Sequence, residues 1–256
     1  MKRTLLFVAA ALLALTSCTQ GIKTETLQLD EEIPFREGSD NHLELELDID
    51  FPVSGFSKEA LEEVRQTIRV HTLGENYTEF TGSLAEMGKA WRDAMAEDYI
   101  VSNTAMLEEM EMSEEDAPFL NWSYEYKGAF GETYDKYVNY MVDQYQYLGG
   151  AHGMYGLFPI VFDKESGRQV EWRDVVPGVS DDKMARRVYL HRLDDLKDTI
   201  DEDDLDADNI FFSEDIEPSP WFTVNDKGIT FYYAPYDIAP YVFGVITIPV
   251  PWEDLK

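Results

Sequence analysis

Between His42 and Asp50 the chain alternates without a fault: His42-Leu43-Glu44-Leu45-Glu46-Leu47-Asp48-Ile49-Asp50. Successive side chains of a strand point to opposite faces, so this segment reads as a half-buried strand with one apolar and one acidic face. A helix would scatter both sets around its circumference. The segment therefore demands a sheet with one covered face and an apolar layer to cover it. Two helix patterns follow. Ser57 can cap a helix carrying Leu61, Val64 and Ile68, with Gly74 as its stop. Ser83-Leu84-Ala85-Glu86 is a capping-box sequence, and it opens a stripe of Leu84, Met87, Trp91 and Met95 at spacings of three and four. Such a stripe is core, not a ligand box.

The character changes at Phe119. Trp122, Tyr124 and Tyr126 share one face of a strand, and Lys127-Gly128-Ala129-Phe130-Gly131 suits a turn. Further strands are expected over 134–147 and 155–162. The turn at 163–167 predicts a hairpin with Arg168-Gln169-Val170. A helix is expected over 181–200, a second hairpin over 222–231 and a last strand over 242–250. Helices grouped early and strands grouped later predict an α+β fold: an antiparallel sheet with helices packed on it from about residue 119 to 256, beside a smaller N-terminal α/β subdomain over 42–118. There is no internal repeat.

The N-terminus belongs to export. Met1-Lys2-Arg3 is basic, Leu5 to Leu15 is apolar, and small residues follow; these are the marks of a signal peptide, here residues 1–17. The apolar run is too short to span a bilayer comfortably, which takes about 20 residues. Leu15-Thr16-Ser17-Cys18 resembles the bacterial lipobox. The resemblance implies a lipid on the Cys18 sulfur, cleavage before it, and attachment to a membrane of the cell envelope. Residues 18–41, polar and charged with little periodicity, read as a tether. Cys18 is the single cysteine, so no internal disulfide can form. Cleavage leaves 239 of 256 residues, with 34 Phe, Trp and Tyr, enough for a packed core. It also removes Lys2 and Arg3 and takes the formal charge from −30 to −32. Such a surface repels nucleic acid and anionic lipid; it suits a basic partner or plain solubility.

Four segments of the C-terminal half together resemble domain-of-unknown-function family 3298. They are Tyr147-Leu148-Gly149-Gly150-Ala151-His152-Gly153; Phe162-Asp163 with Ser166-Gly167; Trp172-Arg173-Asp174-Val175-Val176; and Phe222 to Phe231 with Pro235-Tyr236-Asp237-Ile238-Ala239-Pro240-Tyr241 and Gly244. The region before them resembles that family's usual partner, family 4163. The resemblance covers roughly residues 40–256. The family includes the lysozyme-sensing outer domain of an anti-sigma factor and a region attached to a peptidoglycan deacetylase. Neither a cytoplasmic arm nor a deacetylase domain is recognisable in this sequence, so what the resemblance implies is a binding module of the envelope. Gly149, Gly150, His152, Tyr236 and Tyr241 are its candidate binding residues. Lysozyme, or the glycan of peptidoglycan, is the implied partner.

Catalytic signatures are sparse. Four histidines occur, His42, His71, His152 and His191, without a His-Glu-x-x-His pair. There is no Gly-x-Ser-x-Gly elbow and no phosphate-cradling glycine loop. His152, flanked by glycines, is either a general base or ligand contact, or a histidine bonded to backbone in a bend where Gly149, Gly150 and Gly153 allow positive φ. The reading favours binding over catalysis, with a cell-wall hydrolase or deacetylase using His152 as the rival. No cofactor is expected. Asp204, Asp206, Asp208 and Asp215 partly follow a calcium-loop pattern, with Asn209 at the glycine position; the alternative is a solvated acidic loop. The seven tyrosines of 122–147 either stack on sugar rings or form an ordinary core.

Overall fold

The computed structural model describes residues 18–19, 21–198 and 210–256. A two-residue strand, β1 (Cys18–Thr19), leads into β2 (Ile22–Pro34), which pairs antiparallel along its length with β3 (His42–Ser54). Residues 22–34, expected within a tether, are thus a full strand. Leu27, Leu29 and Ile33 lie opposite Ile49, Leu47 and Leu43 and share their face. The period of two was present in the sequence but broken by Glu31, an acid at an inward position. The rest of the expected tether is held as well: Arg36 pairs with Glu114 at 2.6 Å, and the Phe35 N–H donates to the Asn41 carbonyl.

Two helices cover the apolar face. Helix α1 (Lys58–Leu73) starts where Ser57 Oγ accepts the Ala60 N–H, and ends at Gly74, whose φ of 100° suits glycine. Helix α2 (Leu84–Glu109) opens with the predicted capping box, Ser83 and Glu86 each accepting the other's backbone N–H. Leu43, Leu45, Leu47 and Ile49 are buried with Val64 and Ile68 of α1 and Trp91 and Tyr99 of α2 in one core. The acidic faces of β2 and β3 point the other way.

Strand β4 (Trp122–Tyr134) runs parallel to β3, the two helices forming the crossover that a parallel pair requires. It pairs antiparallel with β5 (Tyr137–Leu148), which in turn pairs with the short strands β6 (Met154–Leu157) and β7 (Ile160–Asp163). The sheet has seven strands and is antiparallel at every described pairing except β3–β4. The turn expected at 127–131 lies later, at Asp135-Lys136. Gly128 stays in the strand because a Cβ there would fall 2.2 Å from the Tyr140 hydroxyl. Phe158-Pro159 divides the strand expected over 155–162, since proline has no N–H to give to the ladder.

The remaining chain forms a second unit. A short helix α3 (Trp172–Val175) and helix α4 (Asp181–His191) precede a three-stranded antiparallel sheet of β8 (Phe222–Val224), β9 (Gly228–Tyr233) and β10 (Ile246–Pro251), closed by α5 (Trp252–Leu255). Its core, with Trp172, Met184, Val188, Phe222, Phe231 and Ile248, includes Tyr137 of β5 and Val161 of β7. Helix α4 is shorter than the sequence suggested. It stops at His191, whose Nδ1 meets Asp194 at 2.6 Å and whose Nε2 meets Asp254 of α5 at 2.7 Å.

That clamp titrates. Burial draws the His191 pKa down, but the bonds to Asp194 and Asp254 outweigh it and hold the pKa above its ordinary value. A raised folded-state pKa contributes stability that is complete below the unfolded value of about 6.5 and is lost as pH rises through the folded value. The melting-temperature loss on His191→Ala is therefore expected to be larger at pH 5.5 than at pH 9. Equal losses at the two pH values would remove the clamp from the stability argument.

Candidate functional site

Opposite α1 and α2, the other face of the large sheet is covered by the small sheet around Tyr137, Asn139 and Val161 and is left open over the acidic rungs of β2 to β5. Its strand registers bring together side chains far apart in sequence. On β2 and β3, Gln28 lies opposite Asp48, Asp30 opposite Glu46 and Glu32 opposite Glu44. On β4, Ser123, Glu125 and Lys127 continue the rungs of Glu44, Glu46 and Asp48. On β5, Tyr147, Tyr145 and Asp143 complete them. Like charges directly opposite one another oppose pairing, so this ladder costs stability. Lys127 is the one cation on these rungs among the described residues, and it reaches both Glu46, at 3.3 Å, and Glu125. Burial, joined by the charge of Glu125, pushes the Asp143 carboxyl up in pKa against the pull of Lys127. At one end of the ladder, burial and the Asp48 charge raise Asp50 against the hydrogen bond from Thr26. At the other, burial lowers His42 while the Asp40 carbonyl, Glu44 and Glu32 raise it further, leaving its pKa above the ordinary value.

The acidic rungs run into an aromatic surface. Tyr145 pairs across the strands with Glu125 on one side and with Tyr155 on the other. Tyr155 meets Tyr241 edge to face, with centroids 5.6 Å apart. Tyr241 stacks on His152 at 4.2 Å and lies 5.6 Å from Tyr236. His152, Tyr236 and Tyr241, drawn from two distant segments, are thus brought together as the sequence reading grouped them. Tyr145 is among the seven tyrosines that the sequence offers for stacking on sugar but is not tied there to this group, and the sequence does not single out Tyr155. They join the group through the β5–β6 register, for which one sequence carries no signal.

The backbone around these rings is specific. Gly149 has φ 75°, and a Cβ there would lie 2.1 Å from the Phe119 carbonyl oxygen, so only glycine fits. Gly153 is required differently: a Cβ would strike the Tyr145 ring at 2.4 Å. Gly150 meets neither condition, so of the three glycines expected to use positive φ, Gly149 alone does. Tyr236 does the same without being glycine, at φ 74°. Its turn is tied by the Tyr236 N–H to the Ala239 carbonyl and by the Ala234 N–H to the Asp237 carboxylate. Left-handed backbone costs about 1–2 kcal/mol for a residue with a side chain, and here it accompanies a ring that is 51% exposed.

His152 itself is exposed. Its Nδ1 lies 3.0 Å from the Gly153 carbonyl and its Nε2 3.4 Å from the Tyr236 hydroxyl. A carbonyl and a phenol position the ring but do not polarise it as the carboxylate of a catalytic pair would. The tyrosines of β4 and β5 divide: Tyr124 and Tyr140 are buried core, and Tyr145 and Tyr147 lie half-buried on the open face. Among the described residues no group of three or more His, Cys, Asp or Glu could hold a metal ion. Asp204, Asp206 and Asp208 of the candidate calcium loop lie outside the described residues. No described helix is long and apolar enough to cross a membrane.

Residues 182–253 match the model of a family described as protein of unknown function, DUF3298. The chain carries a DUF3298 domain. The match runs from α4 to α5, and the loop bearing Tyr236 and Tyr241 falls inside it, whereas the Gly149–Gly153 segment falls outside. The fold of the whole chain resembles the crystal structure of a DUF3298 family member from Bacteroides fragilis NCTC 9343, at TM-score 0.79 and 21% identity over 93% of each chain. It also resembles a DUF3298 family protein from Pseudomonas aeruginosa PAO1, at TM-score 0.59 and 20% identity over 91% of this chain and 92% of that one. At such identities the likeness is one of fold. No curated protein matches the chain.

Proposed function

We propose that this protein is a lipid-anchored, non-enzymatic binding module of the bacterial envelope, and that it docks a basic protein on the open face of its large sheet. The observation that carries the proposal is the ladder of Asp30, Glu32, Glu44, Glu46, Asp48, Glu125 and Asp143 across four adjacent strands with Lys127 as its single cation. A face that sacrifices sheet stability to gather one sign of charge is suited to steering and docking the opposite sign. Lysozyme, a cationic protein of the kind sensed by a member of the resembled family, is the leading partner, and the module would act as its sensor or decoy.

Anchoring rests on the lipobox-like Leu15-Thr16-Ser17-Cys18. Cys18 pairs with Lys23 at one end of the sheet, whereas Leu148, leading into Gly149–His152, lies level with Trp122, Leu43 and Ile33 at the other. Ten residues of strand separate those levels, about 33 Å at the usual rise. A lipid on Cys18 would thus hold the aromatic end well clear of the bilayer. Mass spectrometry of the purified protein is expected to find a chain beginning at an acylated Cys18; an unmodified cysteine would reject the anchor.

The docking reading is tested by titration against lysozyme at low and at high salt. Affinity is expected in the micromolar range or tighter at low salt and to fall steeply as salt rises, because the contacts are charge pairs at the surface. Absence of binding at tens of micromolar in low salt would end it. The exposed Tyr236 ring favours a second reading, recognition of peptidoglycan glycan by stacking, which predicts tight binding of soluble glycan fragments with little dependence on salt.

A further inference from the structure

We propose that the step formed by Tyr236, Tyr241 and His152 is the seat of an arginine side chain of the basic partner. The inference rests on the basic-partner reading of the open face and names where its most specific contact lies. Three observations converge. First, the rings of His152, Tyr236 and Tyr241 tilt by only 31–38° from one another, so they turn similar faces outward. Tyr236 and His152 are exposed, and the strained turn at Tyr236 fixes its ring there at a cost in backbone energy. Second, the protein covers ring faces elsewhere with its own arginines: Arg36 on Phe35, Arg65 on Phe51, Arg173 on Trp172 and Arg192 on Tyr189, at 3.7–5.7 Å. Among the described residues none of its arginines or lysines lies over the rings of the step, whose electron-rich faces are left for a cation from outside. Third, a carboxylate lies in the same turn, where Asp237 follows Tyr236 in the chain, and the acidic rungs begin two strands from Tyr155, at Glu125.

The chemistry selects guanidinium. It is planar and stacks on an aromatic face, it is weakly hydrated, and its N–H groups can reach acceptors at the rim while it stacks. The Gly150 carbonyl is such an acceptor: it already takes the Tyr147 hydroxyl and keeps a second lone pair. A lysine ammonium would gain the charge attraction without the stacking. A pyranose could stack, but as a neutral ring it would gain nothing from the surrounding negative charge.

The test compares two peptides of equal charge, deca-arginine and deca-lysine, titrated at low salt into the folded mature chain and into Tyr236→Ala and Tyr236→Phe variants. Both peptides are expected to bind the unaltered protein, deca-arginine more tightly. In Tyr236→Ala that preference should shrink about fivefold, the range expected for one exposed cation–π contact, with deca-lysine affinity unchanged. Tyr236→Phe should keep the preference. An arginine preference unchanged in Tyr236→Ala would overturn the proposal, and so would equal binding of the two peptides to the unaltered protein. If neither peptide binds, the basic-partner reading itself fails and the arginine seat with it. Binding of a chitin oligosaccharide that Tyr236→Ala abolishes would reassign the step to sugar. Because Tyr236 is a half-exposed surface ring, circular dichroism should show each variant folded.

Discussion

Asn139→Ala is expected to destabilise the protein by about 4 kcal/mol, more than most single changes at its surface or its core. Asn139 stands on β5, on the face turned away from α1 and α2, and is buried. Its Nδ2 donates to the carbonyls of Val224, at 2.8 Å, and Glu132, at 2.7 Å, and its Oδ1 accepts the Val224 N–H at 2.9 Å. Val224 belongs to β8 of the small sheet, so one side chain satisfies both backbone groups of a strand in the other unit. Alanine would leave a buried N–H and two buried carbonyls short of partners, at about 1–3 kcal/mol for each unsatisfied group. Urea denaturation checks the magnitude. It also tests whether the two units unfold together: a single transition in the unaltered protein that splits into two in Asn139→Ala would identify this side chain as their coupling. A loss below about 1 kcal/mol would mean that water or a backbone shift replaces it.

Charge reversal on the open face should do the opposite to stability and much more to binding. In the double variant Asp30→Lys, Glu32→Lys, two carboxylates of adjacent rungs on β2 become cations. If each reversal removes about 1 kcal/mol of favourable docking, lysozyme affinity at low salt falls about 30-fold. The reversals also set cations opposite Glu46 and Glu44, and so relieve part of the like-charge ladder while leaving the pairs of Lys127 with Glu46 and Glu125 in place; the melting temperature is expected to hold or rise. The two readouts together separate the explanations. Lost binding in a protein of undiminished stability locates the docking surface. Retained binding would move the partner elsewhere on the molecule, and lost stability would show that the acids are held in place by structure rather than kept for a partner.

Much of the fold was legible in the sequence, and for identifiable reasons. Capping is local chemistry, so Ser57, Gly74 and the Ser83–Glu86 box marked the helix ends correctly. The strict alternation of 42–50 marked β3, and the Asn225–Gly228 turn marked the β8–β9 hairpin. Errors arose where a local signal served a distant partner. Gly128 resembled a turn glycine but is a strand glycine making room for Tyr140. Residues 22–34 resembled a tether because Glu31 breaks the alternation. That acid lies at the edge of the sheet, where Arg92 of α2 pairs with it at 2.8 Å.

The sequence alone determined a strongly acidic chain rich in aromatic residues and pointed to an α+β class, and it named His152, Tyr236 and Tyr241 together as candidates. All of these follow from composition, from periodicity or from motifs whose residues are near neighbours along the chain or come together in a resembled family. What the tertiary structure decided was the surface. Alternation shows that Glu44, Glu46 and Asp48 share a face, but not that the same face continues onto Glu125, Asp143, Tyr145 and Tyr155, nor that it is left uncovered. That depends on strand order and on a register in which a shift by one residue would turn every side chain to the other side. Those are set by which apolar faces α1 and α2 bury, a competition among segments up to a hundred residues apart that no local pattern records.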